Sequence, residues 1–155
     1  AVQGNADAQN NLGFMYANGQ GVAQDHAEAA KLYRLAAAQG NTNGQFNLGF
    51  AYATGQGVTQ DHREAVKLFR LAAEQGNAAA QNNLGLAYAR GQGVTRDYLR
   101  AYMWFTLAAS KLDGDAGKDA AKKRNAAAEI LTPAEVAQAL EKAQQCQARS
   151  YKNCD

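Results

Sequence analysis

Few residues in this 155-residue chain have the type and spacing for chemistry. The two histidines, His26 and His62, lie 36 positions apart, each directly after an aspartate. Imidazole is a zinc ligand and a proton carrier, but the ligands of one metal all lie about 2 Å from it. Equivalent positions on neighbouring packed helices are roughly 10 Å apart, so both histidines are expected on the surface and no metal site is expected. Ser110-Lys111 and Ser150-x-Lys152 lack the Ser-x-x-Lys spacing that activates a nucleophilic serine. Gly19-x-Gly21 follows no strand-like run, so it does not read as a phosphate-cradling loop. No catalytic residue and no cofactor is predicted.

The two cysteines, Cys146 and Cys154, carry the remaining chemistry. If the helix holding Cys146 continued, their Cα atoms would sit about 12 Å apart, beyond disulfide reach. A bridge therefore requires the chain to turn back after about Arg149, through Tyr151-Lys152-Asn153. A disulfide there points to an exported protein, bacterial periplasmic or secreted; the alternative is a cytoplasmic protein with two free thiols.

The elements that position these residues recur. Leu12, Leu48 and Leu84 stand 36 apart, as do Gly13, Gly49 and Gly85, and Tyr16, Tyr52 and Tyr88. Residues 5–40 and 41–76 share 25 identities in 36, so the units are duplicated. Each unit reads as two helices. The first runs from about Ala6 to Asn18, with Ala8, Leu12 and Tyr16 on one side. Gly13 costs about 1 kcal/mol against alanine inside a helix, so its recurrence predicts a neighbouring helix too close for a side chain. Gly19-Gln20-Gly21-Val22 makes the turn. The second helix opens at Asp25, and Asp25/Glu28, repeated as Asp61/Glu64, has capping-box spacing; Asp97 with Arg100 keeps half of it. Ala29, Leu32, Tyr33 and Ala36 form the buried stripe of that helix.

After Ser110 the pattern stops. A helix is predicted from Asp113 or Asp115 to about Leu131, then a capped one opening at Thr132-Pro133-Ala134-Glu135, with Val136, Ala139, Leu140 and Ala143 as its apolar stripe. Residues 113–155 form a C-terminal helical cap on this reading. Ala1-Val2-Gln3-Gly4 matches the end of a second helix, which points to a truncated or processed chain.

Composition agrees with an all-α fold: 35 alanines stand against 13 valines, isoleucines and threonines combined. No window is long and apolar enough for a membrane span and no basic-then-apolar leader opens the chain. Residues 1–97 hold seven charges of each sign and residues 98–155 nine basic and seven acidic, too balanced for a nucleic-acid or anionic-lipid partner. Lys122-Lys123-Arg124 points in three directions on a helix and is expected to be solvated.

These units resemble the Sel-one-like repeat (SLR) family, relatives of the tetratricopeptide repeats with a slightly longer unit. In unit one the family pattern is met by Ala8, Leu12-Gly13, Tyr16, Gly19-Gln20-Gly21-Val22, Asp25, Ala29, Tyr33 and Ala36-Ala37. Unit two departs with Gly44 in the first alanine slot; unit three matches through Phe105 and Ala108-Ala109. The resemblance covers about residues 5–112. It implies a right-handed α/α superhelical solenoid of stacked antiparallel helix pairs with a concave inner face. The expected organisation is one solenoid domain with units 5–40, 41–76 and 77–112, flanked by the unit end 1–4 and the cap.

Tetratricopeptide-like geometry turns four slots of each first helix toward the groove, and these include Asn10, Phe14 and Asn18 in unit one, Phe46, Phe50 and Thr54 in unit two, and Asn82, Leu86 and Arg90 in unit three. Phe14, Phe50 and Leu86 share a slot that serves either packing or the groove. Phe46 replaces the asparagine of both neighbouring units, so a repeat-wide packing role explains it poorly. The basic ladder Lys31, Arg34, Lys67, Arg70 is broken by Met103 and Thr106 and reads as a solvated convex face. The resemblance implies a non-catalytic scaffold that takes a protein or peptide segment in this groove, and the chain is expected to be a monomer. The alternatives are a cell-wall-related small-ligand binding protein or enzyme, and a structural fragment that stacks on missing N-terminal repeats.

Overall fold

The computed structural model describes residues 2–155, with side chains from Asn5 onward. The reading of residues 1–4 as the end of a preceding unit rests on side chains outside the described residues. Eight helices and no strand occur among the described residues: α1 (Val2–Asn18), α2 (His26–Ala38), α3 (Thr42–Thr54), α4 (His62–Glu74), α5 (Ala78–Arg90), α6 (Tyr98–Lys111), α7 (Gly114–Ala128) and α8 (Pro133–Ala148). The chain packs as two compact units, Ala1–Leu71 and Ala72–Asp155, whose boundary falls inside α4.

Glycine sets both the turns and the closest helix contacts. Gly19 and Gly21 adopt φ of 66° and 73°, the left-handed region that ends a helix without a Cβ penalty. The Asp25 N–H then donates to the Tyr16 carbonyl at 2.9 Å, and Asp61 to Tyr52 likewise. Inside the first helices, a Cβ on Gly13 would lie 2.8 Å from the Tyr33 ring, one on Gly49 2.9 Å from Phe69, and one on Gly85 2.8 Å from Phe105. The expected close neighbour is thus the aromatic ring of the following helix.

The caps differ from expectation. Asp25 accepts from the Glu28 N–H at 3.0 Å, but the Glu28 carboxylate turns to Lys31, 2.9 Å away, and Glu64 turns to Lys67 in the same way. The reciprocal half of the capping box is missing because a lysine one turn on offers a charged donor. Asp97 caps α6 as well as its counterparts cap theirs, accepting from the Arg100 N–H at 2.9 Å and pairing with the Arg100 guanidinium. The complete capping box is at α8, between Thr132 and Glu135, with Pro133 in the first turn.

In the first unit, Ala29, Tyr33, Leu48 and Leu68 form a core between α2, α3 and α4. Leu48 and Leu84 are buried, whereas Leu12 is 39% exposed. Leu48 packs with Ala29 and Tyr33 of α2, the helix before it, and among the described residues no helix precedes α1 to cover Leu12 in that way. In the second unit α6 is central, packing on α5, α7 and α8, with Trp104, Met103, Phe105 and Leu107 buried. Ala139 and Ala143 bury the stripe of α8, but Leu140 is exposed and Cys146 takes the next inner position.

Candidate binding clefts and a pinned C-terminal segment

A cleft of about 480 Å³ opens in the first unit among α1, α2 and α3. Phe14, Asn18, Phe46 and Phe50 line it. Phe14 and Phe50 keep 49% and 45% of their surface in solvent. Their shared slot therefore faces out rather than into the core. Phe46 is half-buried, its ring 6.0 Å from that of Phe69. The floor is Ala29, Ala30 and Tyr33 of α2, and burial pushes the Tyr33 phenol up from its usual 10.0.

Four polar residues that sequence reasoning missed also line the cleft, Gln24, His26, Asn47 and Gln56, together with Ala51. Gln24 and Gln56 belong to the two helix–helix turns, and His26 opens α2. A recurrent turn contact marks the first of them, since the Gln24 side-chain amide donates to the Ala17 carbonyl at 2.8 Å and Gln60 does the same to Ala53. No aspartate, glutamate, lysine or arginine lines the cleft.

Not every predicted wall residue arrives there. Asn10 is buried, its side-chain oxygen accepting from the Asn47 amide at 2.9 Å, so it ties α1 to α3 instead of facing a ligand. The Asn18 amide donates to the Phe14 carbonyl and the Thr54 hydroxyl to the Phe50 carbonyl, each at 2.8 Å. Thr54, with the shorter side chain, folds back on its helix and does not line the cleft. Lys31 and Lys67, both exposed, hold their protons more tightly than free lysine, chiefly through the hydrogen bonds to Glu28 and Glu64.

The second unit has a smaller cleft of about 170 Å³ at the equivalent position, among α5, α6 and α7. Leu86, Ala89, Tyr98 and Phe105 stand where Phe14, Ala17, His26 and Tyr33 stand in the first unit. Its other wall is α7, through Lys123, Ala126, Ala127 and the exposed Ile130. Lys123 pairs with Asp119, and so part of the basic run at 122–124 faces a cleft and not bulk solvent. Asn82 is half-buried with its Oδ1 unpaired, and Arg90 is exposed at the end of α5; neither lines this cleft. No cluster of three or more metal-ligating side chains occurs among the described residues.

Cys146 and Cys154 form a disulfide with Cα atoms 5.0 Å apart. The chain turns back where expected, with Ser150, Tyr151 and Asn153 at φ of 54°, 66° and 53°. The fold-back lays Tyr151 under Lys111, whose ammonium is 4.0 Å from the ring centroid. It also brings the Asp155 carboxylate to two donors, the Tyr88 hydroxyl and the Trp104 indole N–H, each at 2.9 Å.

Comparison with known proteins accords with this architecture. The Sel1 repeat profile matches residues 6–41, 42–77 and 78–111. Among solved structures, a protective antigen present in uropathogenic Escherichia coli strains, displaying an SLR fold, matches with a TM-score of 0.86 and 38% identity over 98% of this chain and 32% of that one. A Sel1 repeat protein from Oxalobacter formigenes matches with a TM-score of 0.70 and 39% identity, over 76% of this chain and 47% of that one. The chain thus spans less than half the length of either protein. No curated protein matches significantly. Sel1 repeat proteins are generally scaffolds for protein interaction. Three matched repeats and a likeness along nearly its full length make this chain a member of the Sel1 repeat family, with the SLR solenoid fold.

Proposed function

We propose that this chain is a non-catalytic, monomeric scaffold, a single solenoid that captures an extended protein segment against the first helices of its repeats. One observation carries the reading: the cleft of the first unit keeps Phe14 and Phe50 about half in solvent beside Phe46, within a lining that holds no aspartate, glutamate, lysine or arginine and a single imidazole, that of His26. Aromatic side chains left in water beside a concavity are the usual anchors of protein recognition. A charged ligand side chain entering this lining would lose water and find no carboxylate, ammonium or guanidinium to pair with, so the segment that fits is uncharged and apolar where it meets the phenylalanines. Asn18, Gln24 and Asn47 each spend an amide N–H on the chain itself, leaving a carbonyl oxygen for the N–H groups of an extended backbone. Leu86, with Asn82 and Arg90 nearby in sequence, extends the same reading to the second unit. The disulfide, together with the lack of a helix long and apolar enough to cross a membrane among the described residues, supports a periplasmic or secreted setting.

The test is to select peptides on the immobilised chain from a random display library and compare the best binder on variants. Phe46→Ala is expected to weaken it tenfold or more, about 1.4 kcal/mol, with little change in melting temperature, while Lys31→Ala with Lys67→Ala leaves it unchanged. Critical outer lysines with a silent Phe46→Ala would put the binding face elsewhere. Unfolding of Phe46→Ala would assign that ring to the core.

A further inference from the structure

The contact made by Asp155 has the composition of a ligand site. Trp104 is wholly buried and Tyr88 nearly so, yet the indole N–H and the phenol hydroxyl both point at one carboxylate. The Trp104 indole has a single N–H, so losing this acceptor would leave a buried donor unsatisfied. A pocket of about 140 Å³ beside the disulfide sets Lys142, Gln145 and Arg149 next to the same aspartate. Two neutral donors aimed at one carboxylate, with two cations lining the adjoining pocket, suit recognition of a carboxylate.

The carboxylate is delivered by a short segment under constraint. Three consecutive-region residues without glycine's freedom, Ser150, Tyr151 and Asn153, sit in the left-handed region, each an unfavourable backbone state. The bridge from Cys146, on α8, to Cys154 holds the segment in that shape. We propose that Tyr88, Trp104, Lys142 and Arg149 form a carboxylate-recognition site which Asp155 fills in cis, and that the Cys146–Cys154 disulfide governs whether an acidic side chain of another protein can replace it. The chemistry of opening is simple. An external dithiol breaks the S–S bond by exchange, delivering two electrons and two protons; Cys146 and Cys154 become thiols and the reductant becomes a disulfide. The positive-φ turn then relaxes and Asp155 leaves.

After reduction Asp155 remains tethered, so its effective concentration at the site stays in the millimolar range for so short a linker. A competing ligand is therefore best seen when Asp155 is removed as well. The probe is a hexapeptide with blocked ends carrying the sequence of residues 150–155 with serine in place of cysteine; its control has asparagine in place of the aspartate. The chain has one tryptophan, so emission reports on Trp104 directly. In the full-length Asp155→Ala protein under dithiothreitol, the aspartate peptide is expected to shift the emission and bind at least tenfold tighter than its asparagine twin. It should also bind at least tenfold tighter than to the reduced wild type, and the oxidised wild type should bind neither peptide. If Asp155→Ala does not fold, Asp155→Asn is the second vehicle, and reduced wild type at millimolar peptide the third. Equal binding of the two peptides, or no shift with either, would reduce Asp155 to a structural contact. Loss of helical circular dichroism on reduction would overturn the proposal too, because the site would not survive its own opening. The Phe46→Ala change should leave this binding untouched, which separates it from the cleft.

Discussion

Gly21 and Gly57 hold the same place in successive turns, with φ of 73° and 72°, yet meet different surroundings. A Cβ on Gly21 would find only the flexible end of Met15, 3.5 Å away. A Cβ on Gly57 would lie 1.9 Å from the His26 carbonyl oxygen and 2.7 Å from the Ala27 nitrogen. Alanine at either site bears the left-handed backbone penalty of about 1–2 kcal/mol, partly offset by about 0.4–1 kcal/mol from the stiffer unfolded chain. Gly21→Ala should therefore destabilise by about 1 kcal/mol. At Gly57 the collision is with backbone that no rotamer change can relieve. The second turn must lift off the start of α2, which adds about 1–3 kcal/mol of overpacking strain. Gly57→Ala is expected to lose about 2–4 kcal/mol, with a melting temperature lower by about 2–4 °C for each kcal/mol. Urea unfolding followed by circular dichroism, compared at a common slope, measures both. Because His26 and Gln56 line the cleft, Gly57→Ala should also weaken binding of a selected peptide while Gly21→Ala does not. Equal destabilisation by the two substitutions would refute the claim that the second turn rests on the α2 backbone.

Thiol titration of the unfolded, unreduced protein should find no free thiol, and replacing both cysteines with serine should lower stability by at most about 2–3 kcal/mol, since the bridged loop is short. Thr132→Ala removes the one complete capping box among the described residues and should cost about 1 kcal/mol in urea unfolding, whereas Glu28→Gln should leave the α2 cap unchanged, because only the Asp25 side chain engages it. Tyr33, with its phenol raised by burial, should contribute stability that is fully present below pH 10.0 and lost as pH rises through its higher folded value; phenolate absorbance should show one late-titrating tyrosine, absent in Tyr33→Phe.

The features legible in the sequence are those that depend on short-range chemistry. The period, the turns at Gly19 and Gly21, the Asp25 cap and the fold-back after Arg149 all follow from local backbone preferences or from reach. Gly13 was readable for a different reason: a helix-breaking residue kept at the same place three times implies a neighbour that excludes a side chain. What escaped needs a third dimension. Leu12 carries the same residue as Leu48 and Leu84, and only the presence of a covering helix distinguishes a buried slot from an exposed one. Glu28 has capping-box spacing, but Lys31 competes for it from the other side. Gln24, His26 and Gln56 reach the cleft through the placement of turns across helices, which no periodicity encodes. The second unit's cleft was missed because the repeat pattern ends near Ser110 while helix pairing continues through α7, which supplies that wall.

The slot occupied by Asn10, Phe46 and Asn82 separates frame from function. Every unit keeps its glycine against the aromatic ring of the next helix, since losing that contact would separate the pair. At this slot the three solutions differ. Asn10 is consumed in an amide contact with Asn47, Phe46 leans on Phe69 at the cleft wall, and Asn82 keeps a buried oxygen without a partner. A position needed for the fold would not tolerate a hydrogen-bonded amide, an aromatic ring and an unsatisfied amide in turn, because their packing and desolvation demands conflict. Of the three residues only Phe46 lines a cleft, so the variation at this slot acts on the lining of the first cleft alone. It adds an aromatic ring to that surface, while the second cleft takes its charged group, Lys123, from α7, already paired with Asp119. Two clefts with one backbone frame and different walls do not select the same ligand side chain, and a segment bound along both would have to present a different group to each.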